Sequence, residues 1–170
     1  MEEKENGGME KMKENQNVEF KESWRDEYLK ILCAFANTNG GILYLGVSDN
    51  GKALRLNNLK QLLEVLPNKI RNSLIIIPSV KVESIEGKEI IKIEVPPSEI
   101  PVSYNGKFYV RAGSTTQEVS GTELIKFLMK RQRLSWDTLL SEANIEDIDE
   151  ETVSKFKEMA KDRLAISQSD

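Results

Sequence analysis

Residues 34–51 read Ala-Phe-Ala-Asn-Thr-Asn-Gly-Gly-Ile-Leu-Tyr-Leu-Gly-Val-Ser-Asp-Asn-Gly. Asn37 to Gly41 stops a helix, because Gly40 or Gly41 can take the left-handed backbone that a helix C-terminus favours. Ile42 to Val47 is a continuous apolar run, which predicts a central strand buried on both faces. Ser48 to Gly51 is then a turn. Upstream, Trp24, Tyr28, Leu32 and Phe35, with Ile31 beside them, recur at helical spacing up to about Ala36. Ser23 is placed to cap that helix, with Asp26 and Glu27 in its first turn, where the helix dipole favours anions. Before it, Val18 and Phe20 alternate with polar neighbours, the pattern of a short half-buried strand over Asn17 to Lys21.

Downstream, Leu59, Leu62, Leu63, Leu66 and Ile70 predict a second amphipathic helix, ended or kinked near Pro67. Leu74 to Ile77 has the length of a buried strand. Ser79–Ser84 and Glu89–Val95 alternate in period two across a Glu86-Gly87 turn and read as a hairpin. Pro96, Pro97 and Pro101 break the next stretch, and Asn105-Gly106 is a tight-turn signal leading into a strand from Phe108 to Arg111. Ser120 and Glu123 form a capping box for a helix through Leu124, Phe127 and Leu128.

The expected division is therefore a disordered arm over 1–16, a folded domain over 17–135 and an acidic helical tail or linker over 136–170. In that tail, Val153, Phe156, Ala160 and Leu164 mark one more helix after the acidic run Asp147–Glu151. The formal charge of −4 over 170 residues conceals this division. Residues 1–22 carry a net −3, residues 23–136 a net +5 and residues 137–170 a net −6. A basic middle with acidic flanks suits a polyanion partner and equally suits a plain solvated surface.

Composition removes several chemistries. With no histidine there is no Ser-His-Asp or Cys-His triad, no imidazole base and no His-containing zinc site. The single cysteine, Cys33, cannot form an internal disulfide and lies in an apolar helical stretch, so it is expected in the core. Trp24 and Tyr28 are expected there too. Any metal would be a hard, oxygen-liganded ion such as Mg²⁺ or Mn²⁺. No run approaches the ~18 apolar residues of a membrane span, and the hydrophilic N-terminus lacks the apolar region of a signal peptide. A cytoplasmic protein is expected.

Several motifs bear on function. Gly46 to Lys52 satisfies G-x-x-x-x-G-K, but Ala53 follows where a phosphate-binding loop needs a hydroxyl for Mg²⁺. Asp49-Asn50-Gly51 is a better hairpin turn than an anion nest. Glu14 and Glu19 flank the first strand and Asp49 leaves the apolar strand, so these carboxylates could converge on a divalent metal or simply sit in solvent. Arg111 to Thr116 follows a strand, and its arginine, glycine and hydroxyls can offer donors to phosphate or merely satisfy turns. Lys126, Lys130, Arg131 and Arg133 add a basic helix end that flanks such a strand of nucleic acid or complements the helix dipole.

Taken in order, Val18-Glu19-Phe20-Lys21, Ala34 to Gly41, Gly46 to Gly51, the Ile-Val strand before Pro96, and Phe108 to Ser114 resemble the Schlafen Alba-like domain. That domain occurs in many bacterial and archaeal proteins labelled as transcriptional regulators or helicase-related, and in animal Schlafen proteins. The likeness covers about residues 14–133. It implies an α+β fold with a mixed β-sheet and flanking helices, and nucleic acid as the ligand. The expected function is largely sequence-independent binding, with DNA favoured over RNA, through Lys21, Arg111, Ser114, Thr115, Thr116, Lys130, Arg131 and Arg133, with no cofactor required. In animal relatives that cleave tRNA and rRNA, carboxylates of a Glu-x-x-x-x-Glu-Phe-Lys segment and an aspartate after the Gly-Val strand are catalytic. Glu14, Glu19 and Asp49 match those positions, which makes a Mg²⁺- or Mn²⁺-dependent endoribonuclease the alternative. An ATP-binding helicase-related accessory role is a further alternative. The animal nuclease core joins two such lobes, so a homodimer is expected, with Glu89–Val95 or the tail helix as the contact. In prokaryotic relatives a winged-helix region often follows the domain.

Overall fold

A computed structural model describes residues 13–142 and Glu158 of the chain. The elements run β1 (Val18–Lys21), a 3₁₀ turn (Asp26–Tyr28), α1 (Leu29–Asn37), β2 (Gly41–Leu45), α2 (Leu59–Leu74), β3 (Ser79–Ile85) and β4 (Lys88–Val95). They continue with β5 (Ser103–Tyr104), β6 (Lys107–Ala112), β7 (Thr115–Val119) and α3 (Gly121–Glu142). The fold is α+β with two sheets. One is mixed and has the order β1-β2-β4-β3; the other is antiparallel, β5-β6-β7. The chain divides into two compact units, residues 1–131 and 132–170. All seven strands of the described residues lie in the first. The second is described only along the end of α3 and at Glu158.

The founding unit is strand–helix–strand. β1 and β2 are parallel, Val18 opposite Ile42 and Lys21 opposite Leu45, and a parallel pair needs a crossover, which α1 supplies. α1 is buried at every position except Lys30, as expected of a helix that touches apolar neighbours all round. It contacts both sheets, and Val102 and Tyr109 from the region of the smaller sheet join the same core as Leu43, Leu45, Ile91 and Ile93 of the larger. The opposite face of the larger sheet carries a second cluster of Phe20, Tyr44, Val47, Ala53 and Ile90.

Gly40 is the residue that takes the left-handed backbone, with φ of 74°, and a Cβ there would lie 2.7 Å from the Val95 carbonyl. Gly41 admits the Phe35 ring into the space its own Cβ would fill. The Gly46–Ala53 segment forms a closed hairpin: Ser48 and Lys52 are joined by a 2.9 Å backbone bond, and Val47 bridges Ala53. The Glu86-Gly87 and Asn105-Gly106 turns both use positive φ at each central residue, as tight hairpins require.

Four expectations are corrected. Ser23 does not cap α1, which starts at Leu29 behind the 3₁₀ turn. α2 does not end at Pro67, the first of the two alternatives, but continues through it to Leu74. The apolar Leu74–Ile77 run is therefore a helix end and a loop, not a strand, and Ile75 and Ile77 are 87 % and 78 % exposed. Glu89–Val95, expected as a dimer contact, lies in β4 between β2 and β3, where β3 pairs one edge and β2 pairs the other from Ile91 to Val95. Contacts also begin earlier than expected, since Asn15 already bridges Val18. The remainder of the arm, residues 1–12, and the tail helix near Val153 and Leu164 lie outside the described residues.

Candidate nucleic-acid interface

β1 divides its side chains by the strand period of two. Val18 and Phe20 go to the second cluster, while Glu19 and Lys21 lie opposite Leu43 and Leu45 on the side of the main core. Glu19 is only 8 % exposed there, and a buried carboxylate needs partners. β6 provides one. Arg111 donates from Nη2 to Glu19 Oε2 at 2.9 Å and to the Asn15 carbonyl at 2.9 Å. Its Nε reaches the Gln16 carbonyl at 3.1 Å and its Nη1 the Thr116 hydroxyl at 3.1 Å. The guanidinium lies 5.0 Å from the Phe35 ring centre, and the Arg111 side chain is 1 % exposed.

This removes Arg111 from the expected phosphate contacts. Its donors point inward and tie the segment before β1 to the smaller sheet. Thr116 is half-buried and accepts from Arg111, so its hydroxyl is already engaged. The expected Arg111–Thr116 loop is a two-residue turn, Gly113-Ser114, with Arg111 paired to Thr116 and Ala112 to Thr115. Thr115 donates to the Ala112 carbonyl at 2.8 Å, and Ser114 and Thr115 are exposed at the tip.

Arg131 is removed on the same ground. It donates from Nη1 to the Ser98 carbonyl at 2.8 Å and from Nη2 to the carbonyls of Asn37 and Thr38, closing the C-terminus of α1. Burial draws its pKa below the ordinary arginine value. Lys130 is exposed on α3; Arg133 lies on the same helix, with its side chain outside the described residues.

The carboxylates do not form the expected metal site. Glu14 Oε1 accepts the Phe20 backbone N–H at 2.9 Å, and Glu19 is held by Arg111 and, at 3.4 Å, by Lys21. Asp49 is exposed in the hairpin turn. Among the described residues no group of three acidic, cysteine or histidine side chains gathers to hold an ion. The carboxylates are the right kind of donor for Mg²⁺ or Mn²⁺, but as placed they do not converge on one point.

What faces outward beside this network is a groove of about 340 Å³ lined by Glu27, Tyr28, Lys30, Ile31, Tyr109 and Thr116. Lys21 Nζ stands 5.0 Å from the Tyr28 ring centre and Lys30 Nζ 5.8 Å from that of Tyr109. Glu27 is drawn toward Arg25 at 3.8 Å. Lys30 and Tyr109 were not among the expected site residues. Lys30 had a readable signal, being the single charge within the apolar run from Leu29 to Asn37. Asn37 was also missed as anything more than a helix stop. Its buried amide donates to the carbonyls of Val102 and Tyr109 at 2.7 and 2.9 Å, and its oxygen accepts the Val102 N–H at 2.7 Å. Cys33 is core, as expected; burial pushes its thiol up to about 11.

The arrangement defines a mixed α+β domain whose central helix contacts two sheets and whose outer groove carries lysines over tyrosines. The chain belongs to the Schlafen, AlbA_2 family, whose model matches residues 14–120. That family points to a nucleic-acid-related domain. Among solved structures, the DIP2311 protein of Corynebacterium diphtheriae shares the fold at a TM-score of 0.52 and 21 % identity, over 61 % of this chain and 25 % of that one. This chain thus spans about a quarter of that protein's length. The N-terminal domain of an ATP-dependent DNA helicase RecG-related protein from Nitrosomonas europaea is similar at a TM-score of 0.46 and 23 % identity, over 60 % of this chain and 82 % of that one. No match to curated proteins reaches significance. Among the described residues no helix is long and apolar enough to cross a membrane.

Proposed function

We propose that this domain binds nucleic acid, with duplex DNA as its main ligand, through the groove between α1 and the smaller sheet. The observation that carries the proposal is the pair of lysines, Lys21 and Lys30, each over a tyrosine ring at the groove. Lysine is a compact point charge suited to phosphate, and the half-buried Tyr28 ring offers an apolar contact for sugar or base. Ser114 and Thr115 at the hairpin tip, and Lys130 on α3, extend the donors available to a backbone. Such contacts position a duplex without reading its sequence. The binding step needs no metal. A module of this kind would bring a transcriptional regulator or a helicase-related protein to DNA.

The test is a titration of duplex DNA, single-stranded DNA and tRNA at several salt concentrations, with wild type and the Lys21→Ala/Lys30→Ala double variant. Wild-type affinity is expected to fall steeply with salt, unaffected by a chelator. The double variant is expected to bind all sequences more weakly and to lose about 1.8 from the log-log salt slope, at roughly 0.9 per phosphate. Unchanged affinity in the folded double variant would refute the groove as the site. Tighter binding of tRNA than of duplex would make RNA the ligand.

A further inference from the structure

We propose that β3 is a dimerisation edge at which two copies of this chain join antiparallel about Val82, extending the four-stranded sheet into one of eight. Among the described residues β3 lies at the end of its sheet and pairs with β4 alone. Its outer row of backbone donors and acceptors meets no other described strand and can accept one. Two of the protections an edge can carry, a proline and a bulge, are missing within it. Ser79-Val80-Lys81-Val82-Glu83-Ser84-Ile85 contains no proline, and its register with β4 runs without a bulge from Ser79 to Ile85.

The strand's own sequence selects the partner. A two-fold axis perpendicular to the sheet keeps the two faces in line, so residues opposite each other must share a face. Centred on Val82, the pairing sets Lys81 opposite Glu83 of the partner subunit and Glu83 opposite Lys81 of the partner subunit. Both charges of the strand then meet their opposites twice over. Slipping the register by two residues either way sets Lys81 against its own copy or Glu83 against its own copy, which is unfavourable. Only the central register satisfies the charges.

Two further observations favour the same occupant. Within one chain, Lys81 lies directly opposite Lys92 of β4, a like-charge pair that an incoming carboxylate would relieve. Neither Lys81 nor Glu83 has an ion-pair partner among the described residues. The exposed apolar groups also cluster here in sequence: Ile75 and Ile77 lead into the strand, and Val82, 42 % exposed, sits at its centre.

The experiment is sedimentation of the full chain over a range of concentrations, with Lys81→Glu, Glu83→Lys, the double swap Lys81→Glu/Glu83→Lys, and an equimolar mixture of the two single variants. Both residues are exposed, and circular dichroism checks that each variant folds. Wild type is expected to rise with concentration from 19.3 kDa toward twice that mass. Each single variant is expected to dimerise about tenfold more weakly, because like charges then face each other at two symmetric positions. The double swap is expected to recover the wild-type constant. The mixture is expected to form a heterodimer in which every pair is again opposite. A concentration-independent monomer, or single variants that associate as well as wild type, would overturn the proposal. A monomer that instead captured extended peptides would assign the edge to a foreign strand.

Discussion

Arg111 and Lys21 each stand 5.0 Å from an aromatic ring centre, Phe35 in one case and Tyr28 in the other, and both contact Glu19. Their fates diverge. The Arg111 side chain is 1 % exposed and spends its donors on a carboxylate, a hydroxyl and two carbonyls, whereas that of Lys21 is 28 % exposed, with its ammonium 3.4 Å from the same carboxylate and over the Tyr28 ring. A planar fork of donors can gather several acceptors that would otherwise be stranded on burial, and a compact, strongly hydrated ammonium cannot. The difference teaches that a basic residue in a phosphate-like motif can serve as the strut behind a binding surface. The surface itself falls to its neighbour.

The sharpest way to break this contrast is to remove the strut. Arg111→Ala should destabilise the domain by about 3–5 kcal/mol, since it strands a buried carboxylate, and Arg111→Lys should recover only part of that. Chemical denaturation measures it, and a change below about 1 kcal/mol would mean the network is dispensable. Second in size is Asn37→Ala, expected to cost about 1–3 kcal/mol because the Val102 and Tyr109 carbonyls lose their shared donor. On the outer side, Lys30→Ala should leave stability within about 0.5 kcal/mol while weakening nucleic-acid binding and removing about 0.9 from the salt slope. A stability loss as large as that of Arg111→Ala would place Lys30 with the struts.

The smallest effect belongs to an ion pair at the surface. Asp26 accepts from Lys69 at 2.8 Å and from the Trp24 indole at 2.8 Å, and these hold its carboxyl below the ordinary value of 3.8. A depressed folded-state pKa contributes stability above the unfolded value that is lost as pH falls through the folded one. Removing it with Asp26→Asn should therefore lower stability near neutral pH, with a difference from wild type that shrinks below about pH 4. Asp26 is 63 % exposed, so solvent screening should keep the effect under about 1 kcal/mol, against several for Arg111.

The strand–helix–strand core was legible because periodicity and glycine both spoke for it: Val18 and Phe20 alternate, α1 is apolar, and Gly40-Gly41 separates it from Ile42–Leu45. The two positive-φ hairpin turns were legible for the same reason. Leu74–Ile77 misled because an apolar run of that length fits a strand, a helix end or an exposed loop equally, and only the packing of α2 decides. β7 was hidden because Thr115-Thr116-Gln117-Glu118 offers no apolar alternation. Of the candidate site, the sequence marked Glu14, Glu19 and Arg111 as special. It could not say that they would turn toward one another's surroundings, since side-chain direction there depends on β6 arriving from 92 residues away.

Asn37 bonds Val102 through both its amide ends, as one strand residue bonds another, so a helix side chain completes the edge of a sheet. That gives the domain a particular way to age. Hydrolysis of this single amide to the acid exchanges a nitrogen donor for an oxygen acceptor facing the carbonyls of Val102 and Tyr109. The damage would be invisible on the surface and would open the seam between α1 and the smaller sheet from within. Its burial at 3 % exposure, inside a helix, is what shields the amide from water and keeps this clock slow.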